Sequence, residues 1–320
     1  MQRLGPALRQ LELAILTQGS SNPRGNLSAL QQLGSLERAA AALAPTDPGA
    51  PDKVLVLTGF PCIEAGPVHQ ETDGIAGAIA IARQLGPGRA TIAIEHQAAF
   101  VVEEALRRIP GESQIEVLRL PAGAAEGRAG DDDWRRGLDA VGEYQLVCIE
   151  KAGPSADGLF RTMRARDISP LCAPEEVLNE IWGRAAAPVI AIGDGGNELG
   201  LGAVAPGIRE HIPLGNEIAC AERFSADICV LCNVSNVGGY ALSLAVDAMQ
   251  QATGQGASSG RLPNAASEQA IADVLQELGV GDGVSQSYEI QSVDGIGISE
   301  HIDFLHQMHA MMGRQEDGPI

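Results

Sequence analysis

Aromatic side chains make up only 3% of this 320-residue sequence, and its 22 basic residues are outnumbered by 41 acidic ones, giving a net charge of −19. The scarcity of aromatics argues against a base-stacking platform. The shortage of lysine and arginine argues against long-range attraction to phosphate backbones or anionic lipid. Neither nucleic acid nor membrane is therefore expected as a partner. No apolar run approaches the length of a membrane span, and the first residues, which include Arg3 and Arg9, lack an apolar core followed by a small-residue cleavage site. A cytoplasmic location is the expectation. The sequence also has no HExxH pair, no GK[ST] ending to a glycine-rich loop and no repeat at a period of tens of residues. These gaps remove a zinc protease, a nucleotide P-loop and a solenoid.

Cysteine is sparse and scattered: Cys62, Cys148, Cys172, Cys220, Cys229 and Cys232. Reduced thiols are the expectation. Cys229 and Cys232 have CxxC spacing, but they fall in an apolar run where a strand would turn them to opposite faces, and no second ligand pair accompanies them.

Short apolar runs alternate with helical patterns. Strands are expected at 54–58, 91–94, 115–118, 145–150, 188–192 and 226–234, with helices at 74–85, 97–108, 132–141, 174–184, from Asn197 onward, and at 238–251. This alternation predicts an α/β fold, a mainly parallel sheet of about six strands with helices on both faces. Before it lies an N-terminal helical segment, 1–48, with helices at 7–17 and 27–43 and a closing loop carrying Pro45, Pro48 and Pro51. After it comes a less regular C-terminal third: helix 265–278, strand 287–293 and helix 299–312. One α/β domain spanning 1–320, with the N-terminal segment packed on it, is expected. Asp282-Gly283 and Asp294-Gly295 read as a hairpin turn and a loop.

Two acidic, glycine-rich junctions carry the chemistry. After the first strand come Thr58 and Gly59, then a long loop to Glu71-Thr72-Asp73-Gly74 and Gly77; after the fifth comes Gly193-Asp194-Gly195-Gly196-Asn197-Glu198. Junctions at the carboxyl ends of parallel strands are where open sheets bind ligands, and glycines let the backbone approach closely. Glu71 and Asp73, two apart on an extended segment, can point the same way. The bland account of Asp73 or Thr72 is a helix cap, which leaves Glu71 unexplained. Asp194, Asn197 and Glu198, at i, i+3 and i+4, are expected on one face of a helix start, where they suit a hard divalent cation or an ammonium group. Glu150 ends the fourth strand, with Asp157 and Arg161 beyond it, a pairing that suits recognition of an amino acid or merely a solvated ion-pair network. Asn236 and Gly239 follow the sixth strand and can offer amides to an anion. His301, His306 and His309 share one expected helix but no ligand pattern, and a surface or partly packed role is expected.

Taken in order, Thr58-Gly59-Phe60-Pro61, Glu71-Thr72-Asp73-Gly74 with Gly77-Ala78, Ile149-Glu150 with Asp157-Gly158, the stretch 163–169, the loop 193–202, Ser235-Asn236 with Gly238-Gly239-Tyr240, and Val293-Asp294-Gly295 resemble the D-glutamate cyclase family over roughly residues 20–312. The sequence departs from the family pattern at Ile75 and Ala76, where prolines are usual, at Ala165, where glycine is usual, and at Val237, where tryptophan is usual.

The resemblance implies a lyase that removes water from D-glutamate to give 5-oxo-D-proline. It implies Glu71, Asp73, Glu150, Asp194 and Glu198 as catalytic candidates. Thr58, Gly59, Gly74, Arg161, Gly195, Asn197, Asn236, Gly239 and Asp294 are the candidates to hold substrate. Within that reading, Glu71, Asp73 or Glu150 would take a proton from the ammonium group. Amides near Asn236 and Gly239, or Arg161, or a divalent cation (Mg or Mn) on Asp194 and Glu198 would polarise the carboxylate. A noncatalytic amino-acid or metal-binding module and another metal-assisted lyase or hydrolase of small carboxylates are the competing expectations. Homo-oligomerisation is left open.

Overall fold

Six apolar runs form one parallel sheet because each alternates its side chains between two buried faces. A computed structural model describes residues 4–18, 27–44, 51–63, 66–109, 114–123, 131–254 and 261–314. The strands are β1 (Lys53–Gly59), β2 (Ala90–Glu95), β3 (Glu116–Leu120), β4 (Tyr144–Lys151), β5 (Ala185–Gly193) and β6 (Ile228–Leu231), ordered β3-β2-β1-β4-β5-β6. Every neighbouring pair in this sheet is parallel. Val54, Val56, Ile92, Ile94, Val147 and Ile149 face one core, while Leu55, Leu57, Ala93, Leu146 and Cys148 face another on the opposite side.

Helices cover both faces. The first core is closed by α1 (Leu4–Ile15), α2 (Ser35–Leu43), α3 (Ile75–Leu85) and α4 (His96–Arg108), and later by helices of the C-terminal half. The second receives Trp134 and Leu138 of α5 (Asp131–Val141), Leu178 and Ile181 of α6 (Glu175–Arg184), Ile208 of α7 (Ala205–His211) and Ile218 of α8 (Gly215–Ile218). Then α9 (Ser235–Ala252), α10 (Ala265–Glu277) and α11 (Ile298–Met311) return to the first face, with Tyr240, Val274 and Leu305 buried there. Leu8, Leu11 and Ile15 of the N-terminal segment are buried in that same core, each worth roughly 1.5–3 kcal/mol. Glu12, also buried, accepts N–H bonds from Gly34 (2.7 Å) and Leu36 (3.0 Å), which fixes the start of α2.

The chain departs from the expected elements in four places. The 27–43 helix is split into a 3₁₀ turn, Leu27–Leu30, and α2, because Gly34 takes a left-handed conformation at φ 92°. No helix starts at Asn197; the first α-helix after β5 is α7. The sixth strand is only four residues long, and the strand expected over 287–293 contracts to β7 (Ser292–Val293), paired antiparallel with β8 (Ile296–Gly297). Pro45 and Pro48 lie outside the described residues.

The strand order matters for function. The chain winds outward from β1 to β3, then returns to lay β4 on the other side of β1. At that reversal the connections leave the sheet in opposite directions and open a crevice beyond the carboxyl ends of β1 and β4.

Candidate functional site

Two helices meet at the reversal because glycine removes the side chains between them. A Cβ on Gly239 of α9 would lie 2.6 Å from Gly77 Cα, and one on Gly77 of α3 would lie 2.9 Å from Asn236 Cα. Asn236 locks the contact, accepting the Gly77 N–H at 2.8 Å and donating to Thr72 O at 3.3 Å. Two N-termini with unpaired amides thus lie side by side. Asp73 fills the space between them: Oδ1 accepts from Gly74 (2.9 Å) and Asn236 (2.7 Å), and Oδ2 from Ser235 (2.8 Å). The side chain is a cap, as the bland account held, but mainly of a helix 162 residues further along.

Glu150 sits at the end of β4 with φ 40°, a left-handed conformation that costs a non-glycine residue of order 1–3 kcal/mol. Ser235 Oγ donates to its Oε2 at 2.5 Å. Gly74, at φ 86°, makes room for it, since a Cβ there would lie 2.4 Å from Glu150 Cβ and 3.0 Å from the Oγ1 of buried Thr58. Gly59, at φ 108°, ends β1 against Ile94 and Glu95, the latter in a buried ion pair with Lys151.

Burial pushes the Asp73 carboxyl up to about 7; repulsion from Asp294 adds to this and the three amide hydrogen bonds oppose it. Glu150 is pushed well above the ordinary range, first by burial and then by the nearby Glu198, Glu71 and Asp73 carboxylates. Both therefore retain protons at pH values where an ordinary carboxylate has lost them. Further back, Tyr240 donates a short hydrogen bond to Glu268, whose carboxyl burial also raises to about 7.

The second junction is organised by Glu198. Its Oε1 accepts from the amides of Asp194 (3.0 Å) and Gly195 (2.6 Å), and its Oε2 from Gly196 (2.6 Å). A loop curled around its own carboxylate replaces the expected helix, and Gly196 and Gly200 adopt φ 99° and 102°, which no right-handed helix allows. The curl brings Asp194 and Asn197 to the crevice, while Asn197 Nδ2 donates to Arg161 O at 2.8 Å. A third segment forms the roof. Buried Asp282 accepts from Val284 N (2.7 Å), Ser292 Oγ (2.6 Å) and Gly295 N (2.7 Å), and Asp294 stands in the β7–β8 turn at φ 55°. His301 Nε2 lies 3.3 Å from Val293 O, and burial depresses its basicity; His309 packs against Pro263 O.

These segments enclose a cleft of about 240 Å³. Glu71, Glu150, Asp194 and Asn197 line it, with Phe60, Cys62, Met163 and Val284 as its less polar walls. Asp73, Glu198, Asn236 and Gly239 are not among its lining residues; they hold the floor from behind. Arg161 is also absent from the lining: it pairs bidentately with Asp157 at 2.8 and 2.7 Å, the ion-pair alternative of the sequence reading. The arginine at the cleft is Arg164, three residues on, which sequence spacing did not single out. None of the six cysteines is in a disulfide, and Cys229 and Cys232 point at different carbonyls, those of Gly200 and Gly193.

Two sets of carboxylates approach metal-ligand spacing. Asp73, Asp194 and Asp294 each bring one oxygen within 4.8 Å of the others, as do Glu150, Asp194 and Glu198. Asp194 belongs to both. Asp73 and Glu198 each already accept three main-chain N–H bonds, which leaves roughly one acceptor direction on each.

No helix among the described residues is long and apolar enough to cross a membrane. The family model described as D-glutamate cyclase-like, C-terminal, matches residues 15–309. A human protein named D-glutamate cyclase, mitochondrial, is 32% identical over 291 residues, covering 81% of this chain and 44% of the human one. The chain therefore spans less than half the length of that relative. With a match running through both acidic junctions, the reversal between β1 and β4 and the roof, this chain belongs to the D-glutamate cyclase-like family.

Proposed function

We propose that the protein is a dehydrating cyclase that closes D-glutamate to 5-oxo-D-proline with release of water. The observation that carries this reading is a small cleft in which Glu71, Glu150 and Asp194 converge while burial raises the Glu150 carboxyl well above its ordinary range. The human relative's name supplies the substrate.

The reaction moves two protons from nitrogen to oxygen. The substrate enters with an ammonium group and a side-chain carboxylate, and leaves as a lactam N–H plus one water molecule. Glu71 and Asp194, on the cleft wall, bind the ammonium and take the proton that frees its lone pair. Glu150, protonated and held by Ser235, donates to the side-chain carboxylate, making its carbon electrophilic and letting oxygen depart as water. The C–N bond forms as the C–O bond breaks; the proton first taken from nitrogen passes to the departing oxygen to complete the water, and the second nitrogen proton restores Glu150. No activated intermediate is needed, because seating the amine against the carboxylate removes much of the entropic barrier to a five-membered ring. Asp73 is buried behind the wall and acts through Glu150, whose charge it opposes.

A divalent cation is the second reading, favoured by the two carboxylate triplets that share Asp194. Bound there, it would polarise the departing oxygen. Incubating the protein with D- and L-glutamate, with and without EDTA, and measuring 5-oxoproline by chromatography tests both readings. Lactam formation that survives EDTA and falls at least 100-fold in Glu150→Gln supports acid catalysis by Glu150. Loss on chelation with recovery on adding Mg or Mn supports the cation. Glutamate binding without any lactam would make the protein a binding module and end the cyclase reading.

A further inference from the structure

We propose that Arg164 is the residue that recognises the non-reacting carboxylate of the substrate, and so selects α-amino dicarboxylic acids over simple ω-amino acids. The assignment rests on the cyclase reading for the substrate class, but its geometry is independent of any chemistry.

Among the described residues, Arg164 is the one basic residue lining a cleft whose other charged lining groups are Glu71, Glu150 and Asp194. Its backbone is held in advance. Thr162 Oγ1 accepts the amides of both Arg164 and Arg166 at 3.3 Å, Ala165 N–H closes on Thr162 O at 2.9 Å, and Ala165 turns the chain at φ 56°. The turn rests on the acidic loop beneath it: Asn197 binds Arg161 O at 2.8 Å, and Met163 Sδ would lie 2.8 Å from a Cβ on Gly195. The guanidinium reaches across to the roof, where its contact with Gly283 O is long at 3.5 Å. Exposed, and with only that long bond among the described residues, it retains donors for a carboxylate.

The charge pattern dictates the orientation. A dicarboxylic amino acid carries one positive and two negative groups. Its ammonium suits the acidic wall, and its reacting carboxylate is neutralised by the proton from Glu150. The remaining α-carboxylate is repelled by Glu71 and Asp194 and has one cation to meet. It persists in the lactam, so Arg164 holds product as well as substrate.

The test compares wild type, Arg164→Gln and Arg164→Lys with D-glutamate, with 5-oxo-D-proline, and with 4-aminobutanoate, which lacks the α-carboxylate. Titration calorimetry reads binding and lactam formation reads turnover. Arg164→Gln is expected to raise KM for D-glutamate and Kd for 5-oxo-D-proline at least 30-fold, with kcat within threefold of wild type and unchanged affinity for 4-aminobutanoate. Arg164→Lys, which keeps the charge and loses the fork, is expected to fall between. Equal KM in wild type and Arg164→Gln would overturn the assignment, and so would an equal loss for 4-aminobutanoate or wild type that binds none of the three. If wild type binds glutamate but forms no lactam, the cyclase reading fails separately and calorimetry alone decides the role of Arg164.

Discussion

Gly74→Ala tests the site most directly, because its cost separates into two parts that a second variant can divide. Gly74 adopts φ 86°, and its added Cβ would lie 2.4 Å from Glu150 Cβ and 3.0 Å from Thr58 Oγ1. At φ 86° and ψ −37°, outside the ordinary left-handed well, alanine costs roughly 1–3 kcal/mol. Overpacking adds about 1–3 kcal/mol, since Glu150 Cβ is the root of a side chain and cannot swing aside without moving β4. Gly88 provides the control: at φ 77° it has nothing within 4 Å of an added Cβ. Gly88→Ala therefore incurs only the conformational part, about 1–2 kcal/mol, and the gain from a stiffer unfolded chain is common to both variants. The expected difference between them is about 1–3 kcal/mol, or roughly 1.5–4.5 °C in Tm for a chain of this size. Activity should part more sharply. Restoring an ordinary contact requires Glu150 to move by about 1 Å, and a misplacement of that size costs about 100-fold in rate. Thermal unfolding and 5-oxoproline formation read the two effects. Equal destabilisation of the two variants, with full activity in Gly74→Ala, would refute the claim that this glycine exists to seat Glu150.

Three further outcomes are expected. Glu198→Gln leaves Nε2 facing the Gly196 N–H, donor against donor, and should cost about 2–3 kcal/mol in denaturant unfolding and reduce turnover by displacing Asp194. The raised carboxyls make stability depend on pH with a definite sign. An acid whose folded pKa lies above its unfolded value stabilises fully below the unfolded value, and that stabilisation is lost as pH rises through the folded one. Glu268, raised from 4.5 to about 7, should therefore make the urea midpoint fall between pH 5 and 7, and Glu268→Gln should flatten that fall by up to about 1.4 kcal/mol per pH unit. An unaltered slope would show that the Tyr240–Glu268 pair does not titrate in this range. Ser235→Ala removes the hydroxyl bonded to Glu150 Oε2, which favours the charged form, so the alkaline limb of the pH–rate profile, where Glu150 gives up its proton, should move upward.

Much of this architecture could be read from the residues, and the failures have physical causes. The alternation of apolar runs with helical patterns located all six strands of the main sheet and placed Gly59, Glu150 and Asp194 at or just beyond carboxyl ends, because burial on both faces leaves a strong pattern. The spacing of Asp194, Asn197 and Glu198 suggested a helical face, yet the local chain is held by three amides on one carboxylate. The glycines at 195, 196 and 200 are the signal against a helix, and they outweigh the side-chain spacing. Arg161 and Arg164 sit in a turn whose tip is set by Ala165 at φ 56°, a conformation that alanine does not advertise. The strain at Glu150 is equally silent, since only tertiary contacts hold a glutamate at φ 40°.

The hydroxyl of Thr72 donates to Ser292 O at 2.9 Å, joining segments 220 residues apart. Every strand of the main sheet is already synthesised by residue 231, but the loop that roofs the crevice emerges some fifty residues later. A nascent chain paused in that interval would have every strand of the main sheet but an unroofed groove and no α11. Closure of the cleft is thus postponed to the final stage of translation, however early its carboxylates are made.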